Sequence, residues 1–351
     1  MDLVARLKLS VPLIQAPMAG TSTPGMAAAV SNAGALGSIA VGTLTPQAAA
    51  RDIAQVRAAT DRAFNVNLFV HAPPGTDPAR EAAWLDALRP LFTAFGAQPP
   101  IALETIYPTF SGNAEMLSTL VDLAPPVISF HFGLPDAGAV AALKSAGCVL
   151  LATATSPDEA LLAKEAGIDA LVAQGWEAGG HRGMFDPTAP DDRLGTMALT
   201  RLLVSRSGMP VIAAGGIMDG HGIRAALDLG AIAAQLGTAF VACPESSADE
   251  AYRTALAGVA AQHTTMLDAI SGRPARCLAN RFTTFADTAS LPPVAAYPRA
   301  YHAGKALNAV AKAAGEGGFG AQWAGQGAPL SRPVPAADLV ALLAEELAAS
   351  R

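Results

Sequence analysis

Eight short apolar runs, each bounded by turn residues and followed by an alanine-rich amphipathic stretch, constrain this chain more than any other feature. They read LIQAPM (13–18), LGSIA (36–40), FNVNLF (64–69), VISFHF (127–132), VLLATA (149–154), ALVAQG (170–175), PVIAAGG (210–216) and AAQLGT (233–238). Hydrophobicity along them is continuous rather than alternating, the pattern of strands buried on both faces in an all-parallel sheet. Helices are expected at 24–33, 46–59, 135–146, 156–166 and 219–229, several opening on Pro or Ser-Pro and closing on glycine, as Ser156-Pro157 and Gly167 do. Eight strand–helix units predict an α/β fold of the (β/α)8 TIM-barrel type, in preference to an open doubly wound sheet.

Two stretches exceed what a connecting loop needs. Residues 70–126 form a Pro-punctuated insertion with a helix at 78–97, an extra apolar run at 100–106 and Tyr107, and residues 176–209 follow the sixth strand with AGGHRG and an Asp-rich loop. From about residue 245 the pattern turns helical without strands. The expected organisation is a barrel over 1–244, with the insertion at about 70–126, and a helical extension over 245–351 that partly covers the active site. A GxGxxG match at Gly315, Gly317 and Gly320 follows a helical run rather than a strand, so it reads as a helix end entering a loop and not as a dinucleotide fingerprint.

Composition excludes several classes of function. With 51% apolar and 15% charged residues the chain can bury a large core, and a net charge of −6 without long like-charged blocks argues against a nucleic-acid partner. No run of about eighteen apolar residues is present, so no membrane partner is expected, and the start MDLVARLKLSVPLIQ lacks the uninterrupted core of a signal peptide. Three cysteines, Cys148, Cys243 and Cys277, show no CxxC spacing. A cytoplasmic protein acting on a small molecule is expected.

The strand ends suggest which small molecule. Gly215 and Gly216, then Gly237 and Thr238, end the last two runs in small residues, which let an anion approach backbone N–H groups, as at the phosphate site of many barrels. The residues at or beyond the strand ends are Met18, Asn67, His131, Thr153, Gln174, His181, Gly216 and Gly237. Carboxylates and lysines are scarce among them, so neither metal-assisted hydrolysis nor Schiff-base chemistry is indicated, and a phosphate-bearing cofactor is expected to carry the reaction. Asn67 and Gln174 could each offer a donor and an acceptor to a pyrimidine-like ring edge while Met18 packs on its face, which suits flavin mononucleotide (FMN); the alternative is that both amides satisfy buried backbone groups. His181, flanked by glycines after a strand, is the candidate acid, base or anion holder. His131 could serve beside it or be a satisfied core histidine. No metal site is expected, since His131, Glu177 and His181 lack ligand spacing, and His71, His221, His263 and His302 read as structural.

Taken in order, LIQAPMAG (13–20), SNAGALGSIA (31–40), FNVNLF (64–69), SFHFGLP (129–135), AGIDALVAQGWEAGGHRG (166–183), PVIAAGGIMDG (210–220) and QLGTAF (235–240) resemble the class I nitronate monooxygenases, once called 2-nitropropane dioxygenases. SGRPARCLANRF (271–282) and WAGQGAPLSR (323–332) resemble that family's extension, so the likeness spans nearly the whole chain. It implies an FMN-containing barrel that oxidises alkyl nitronates with O2 to a carbonyl compound and nitrite, without reduced nicotinamide, with propionate 3-nitronate as the toxic natural substrate. By motif position it implies FMN binding by Gln174, Gly179, Gly216, Gln235, Leu236, Gly237 and Thr238, with Met18 and Asn67 around the ring. His181 takes the catalytic position, and His131, Tyr107, Tyr297, Tyr301 and Lys305 match the substrate side. Thr21 and Cys277 depart from the family's usual residues. An NAD(P)H-dependent FMN reductase acting on enoyl thioesters or quinones is the alternative enzyme, and a non-catalytic flavin- or phosphate-binding barrel the alternative of another class.

Overall fold

The computed structural model describes residues 3–288 and 290–350. Every one of the eight apolar runs contains a strand: β1 (Leu13–Gln15), β2 (Gly37–Ala40), β3 (Phe64–Phe69), β4 (Val127–His131), β5 (Val149–Ala154), β6 (Ala170–Gln174), β7 (Val211–Ala214) and β8 (Ala233–Leu236). They pair in parallel in the order β1-β8-β7-β6-β5-β4-β3-β2. The remaining seam is joined by a parallel bridge between Ile14 and Leu36, where Leu36 N–H donates to Leu13 O at 2.9 Å and Gln15 N–H to Leu36 O at 2.9 Å. The result is a (β/α)8 barrel.

The expected helices are found at Pro24–Asn32, Pro46–Ala59, Ala137–Ser145, Pro157–Glu165 and Gly220–Asp228. Their starts follow side-chain capping: Ser156 Oγ accepts from Glu159 N–H at 3.2 Å and Asp219 Oδ1 from Gly222 N–H at 2.8 Å. Gly167, at φ +83°, turns the chain out of its helix into β6. Inside the barrel Ile14, Leu36, Val127, Leu151, Val172 and Ile212 form one apolar cluster. Val66, Leu68, Ile128, Phe130, Leu150 and Leu171 join instead a cluster with Ile53, Val56 and Leu143 of the surrounding helices. Both faces of the strands are therefore buried, which is why their hydrophobicity does not alternate.

The extension departs from expectation. It is not strand-free: β9 (Thr264–Leu267) and β10 (Ala275–Leu278) pair antiparallel, and β10 also pairs with the two-residue strand Gly180–His181, in register Ala275 with His181 and Arg276 with Gly180. These segments are only four residues long, and β10 is wholly buried although it carries Arg276. Neither shows the pattern that marks a strand.

The insertion and the extension share a core. Trp84, Leu88 and Phe92 of the helix Pro78–Ala94 pack with Phe282, Leu307, Ala311 and Phe319 of the extension. Arg299 grips Glu81 with both arms, at 2.6 and 2.7 Å. The 100–106 run forms no strand; Leu103 is buried in the shared core while Ile101 is fully exposed. The last helix, Ala336–Ala349, returns to the barrel and packs Leu339, Val340 and Leu343 against Ile223 and Ala226. Gly315, at φ +79°, ends the helix Arg299–Ala313 as the sequence suggested. Among the described residues no helix is long and apolar enough to cross a membrane.

Candidate active site

The carboxyl ends of the strands open into one cleft of about 1330 Å³, its open mouth included. On one side the lining is small residues and backbone. Gly215 and Gly216 follow β7, Gly237 and Thr238 follow β8, and Ala178 and Gly179 come from the loop after β6. Gly216 takes φ +70°, and a Cβ on Gly237 would stand 3.4 Å from that of Ala16 and 3.7 Å from Met18 Sδ. Side chains here would fill the cradle. Thr238 Oγ1 accepts Gly325 N–H at 3.0 Å, so the extension braces this side too.

His181 occupies the floor of the opposite side. The chain is forced to this place by its neighbours: a Cβ on Gly179 would lie 2.4 Å from Gly325 N, Gly180 takes φ +75°, and His181 is then zipped to Ala275 of β10. Its carbonyl receives Gln174 Nε2–H at 2.9 Å and His131 Nε2 at 3.1 Å, while Gln174 Oε1 accepts Gly183 N–H at 2.7 Å. A carbonyl only accepts, so the hydrogen-bond network assigns the His131 proton to Nε2, and its Nδ1 accepts from the Thr153 hydroxyl at 3.0 Å. The same logic fixes His181. Ser271 Oγ donates its one hydrogen to Arg273 O at 3.1 Å, hence it accepts His181 Nε2–H at 2.9 Å and leaves Nδ1 of His181 as a bare lone pair.

Both rings are held neutral. Burial, and then charge on His131, Arg273 or His71 when they are protonated, pushes His181 down to about 3; burial also outweighs the hydrogen bond to the His181 carbonyl and takes His131 to about 4. His71 is buried too and falls to about 4, and its ring meets Tyr297 edge-on at 5.1 Å. It does not behave as a surface-loop histidine.

The insertion and extension supply the third side. Tyr297, Tyr301 and Trp323 stand 5.4, 6.0 and 5.0 Å from the His181 ring, and Tyr107 of the insertion meets Tyr301 at 5.7 Å. Burial raises all three tyrosine phenols, Tyr107 to about 12, so each keeps its proton at neutral pH. Lys305 Nζ lies 5.0 and 5.6 Å from the ring centres of Tyr107 and Tyr301 and has no ion pair among the described residues.

With this geometry in view, comparison with known proteins becomes decisive. The family model described as "Nitronate monooxygenase" matches residues 2–346. Curated nitronate monooxygenases of Paraburkholderia phytofirmans and Pseudomonas aeruginosa are 57% and 54% identical, covering 98% and 97% of this chain and 94% and 97% of their own lengths. This chain belongs to the nitronate monooxygenase family. Among solved structures it is similar to a nitroalkane oxidase from Streptomyces ansochromogenes, with a TM-score of 0.90 at 38% identity and 99% coverage of both chains. FabK from Thermotoga maritima is more distant, with a TM-score of 0.75 at 26% identity, covering 99% of this chain and 96% of its own.

For a member of the nitronate monooxygenase family, most residues singled out from sequence converge. Met18, Asn67, Tyr107, His131, Gln174, Gly179, His181, Gly216, Gln235, Gly237, Thr238, Tyr297 and Tyr301 line the one cleft. Leu236 does not, for its side chain packs outward with Leu13 and Phe240. Lys305 lines an adjoining vestibule that shares Tyr107 and Tyr301 with the cleft. Gln174 spends both ends of its amide on the His181 loop, and Asn67 donates twice to Ser129, at 2.9 and 3.2 Å, which leaves its carbonyl oxygen for a ligand. Glu177 caps Thr196 and is not part of a metal cluster, and among the described residues no group of three His, Cys, Asp or Glu could hold one. Sequence reasoning missed Phe132, Tyr252, Ser271, Arg273 and Trp323. All but Phe132 belong to the extension, whose packing has no local signature.

Proposed function

We propose that this protein is an FMN-dependent nitronate monooxygenase that oxidises anionic alkyl nitronates with O2 to a carbonyl compound and nitrite, with propionate 3-nitronate as the substrate it removes. One observation carries the reading: a glycine cradle and a carboxylate-poor wall of phenols, imidazoles and a lysine face each other across one cleft. The cradle suits the phosphate of FMN, since Gly179, Gly216, Gly237 and Thr238 would present backbone to it, and Met18 and the carbonyl of Asn67 would meet its rings. When bound, FMN supplies the one-electron chemistry that no side chain here can perform.

The protein's own residues would orient the anion. Protonated Tyr107, Tyr297 and Tyr301 can donate to the two nitronate oxygens, and the ammonium of Lys305 in the adjoining vestibule can hold a second charge on the substrate. Nδ1 of His181 carries a lone pair and repels the nitronate oxygens. The oxygens would therefore turn toward the extension and the reacting carbon toward His181, while the aromatic wall would exclude water. A neutral nitroalkane would first have to lose its α-proton to that Nδ1. An imidazole lowered to about 3 is unprotonated as required but weakly basic, far from the near-neutral value that suits proton abstraction. A substrate that arrives already deprotonated fits this site better.

The test is direct. The purified protein should be yellow, consume O2 and release nitrite when given a nitronate in air, and change its visible spectrum when given it without air. Bleaching by NADH or NADPH, with no nitrite from nitronates, would instead favour the reductase reading. A colourless protein that refuses added FMN would remove both.

A further inference from the structure

Behind the cleft stands a cation that the proposed function does not use. Arg273 lies in the turn between β9 and β10 and is 3% exposed. Its Nη2 donates to the carbonyls of Met184 and Phe185, just beyond His181, and its guanidinium covers the Phe132 ring at 4.3 Å. It enters none of the ion pairs among the described residues. Of the acidic groups that act on it, Tyr297 keeps its proton, Glu159 accepts from Thr155 and Phe185 N–H, and Asp186 accepts from the N–H and hydroxyl of Thr188. Burial lowers its pKa to about 10, which leaves it charged at neutral pH.

Burying a cation without an adjacent counter-ion is costly, and such a cost persists where the charge has a use. Phe132 shows where the charge acts. This residue takes φ +75°, rare for a bulky side chain, and its ring stands 5.6 Å from His181 and 5.3 Å from Tyr297 while Arg273 covers it. Between the guanidinium and the cleft lies a hydrocarbon ring rather than water, so screening is weak. The main chain fixes the distance: Arg273 O accepts from Ser271 Oγ, which in turn accepts His181 Nε2–H, a link that any residue at 273 would keep.

We propose that Arg273 is a positioning residue that makes the cleft selective for anionic substrates, its charge acting across the Phe132 ring. The identity of the anion rests on the nitronate reading; the electrostatics do not. The groups that face His181 are His131 from β4, His71 beyond β3, Tyr297, Tyr301 and Trp323 from the extension, and Ser271 with Arg273 from the β9–β10 turn. Arg273 is the one permanent cation among them.

The experiment compares full-length, FMN-loaded Arg273→Met and Arg273→Lys with the parent protein, using a nitronate, its neutral nitroalkane and nitrate, a planar oxyanion that is not oxidised. Arg273→Met should lower kcat/KM for the nitronate and weaken nitrate binding by about tenfold each, the size of one charge acting through a weakly screened path. Its kcat/KM for the neutral nitroalkane should hold or rise, because the His181 ring becomes more basic. Arg273→Lys should restore most of the anion preference. Equal losses on both substrates, or a lysine variant as poor as the methionine one, would overturn the proposal in favour of a packing role. If Arg273→Met does not fold, Arg273→Gln, which keeps a donor for the Met184 and Phe185 carbonyls but no charge, carries the same comparison: weakened nitrate binding supports the proposal and unchanged nitrate binding overturns it. A parent protein that binds nitrate but spares nitronates refutes the functional reading alone, whereas equal nitrate affinity in parent and Arg273→Met refutes this inference alone.

Discussion

The two sides of the cleft are made by different means. The barrel side presents glycines and backbone at the ends of β7 and β8, where what matters is the absence of side chains. The other side presents phenols, imidazoles and a lysine, delivered by an insertion and an extension that pack on each other through Trp84, Phe92, Leu307 and Phe319. A phosphate-bearing ring system recurs unchanged in every turnover and suits a site built from main chain. A substrate anion needs hydroxyls and charges that can be exchanged without disturbing the barrel. On the proposed reading one side would hold the cofactor and the other choose the substrate, so the two properties should be separable.

Mutations can test that separation. The largest effect is expected at the junction of the two sides: His181→Ala should cut turnover of neutral nitroalkanes by about 10²–10⁴, the range for a lost proton acceptor, and of nitronates by about tenfold, with FMN retained. Steady-state oxygen uptake on both substrates reads this out, and equal losses would place His181 in cofactor binding instead. Trp84→Ala empties the shared core of insertion and extension and should destabilise by about 3–5 kcal/mol in urea titrations. If the sides are separable, KM for nitronates should rise more than the FMN dissociation constant. Lys305→Met should raise KM about tenfold for nitronates bearing a carboxylate and under about twofold for simple alkyl nitronates, because only the former keep a second charge for the vestibule.

A further effect is expected on stability against acid. His71, His131 and His181 have folded-state values near 4, 4 and 3 against an ordinary 6.5, so their contribution is complete above the unfolded value and is lost as pH falls through the interval toward 4. The fold should therefore weaken progressively across that interval. Urea midpoints at neutral and mildly acid pH measure the slope. A flat response would mean that water reaches these rings.

The barrel was legible because its strands are buried on both faces and therefore read as continuous apolar runs, and because capping residues such as Ser156 and Asp219 announce each helix. The site was legible where position in that repeat decides it: Gly216, Gly237, His131 and His181 all follow from being at strand ends. What stayed hidden depends on contacts distant in sequence. TTML and ARCL become strands only because each has a partner, and Arg276 is buried only because Trp176 O receives both its Nε–H and an Nη2–H, at 3.1 and 2.9 Å. The amide of Gln174 illustrates the same limit. Its place at the end of β6 was readable, but its hydrogen bonds to the His181 loop depend on that loop's path, which no local pattern gives.

Two residues, Gly180 and His181, are strand only because β10 lies beside them. During synthesis the eight barrel strands emerge before residues 275–278 do, so a growing chain can close its barrel while that imidazole still lacks an anchor. The imidazole's final place is thus set by a segment that lies about ninety-five residues further along the chain.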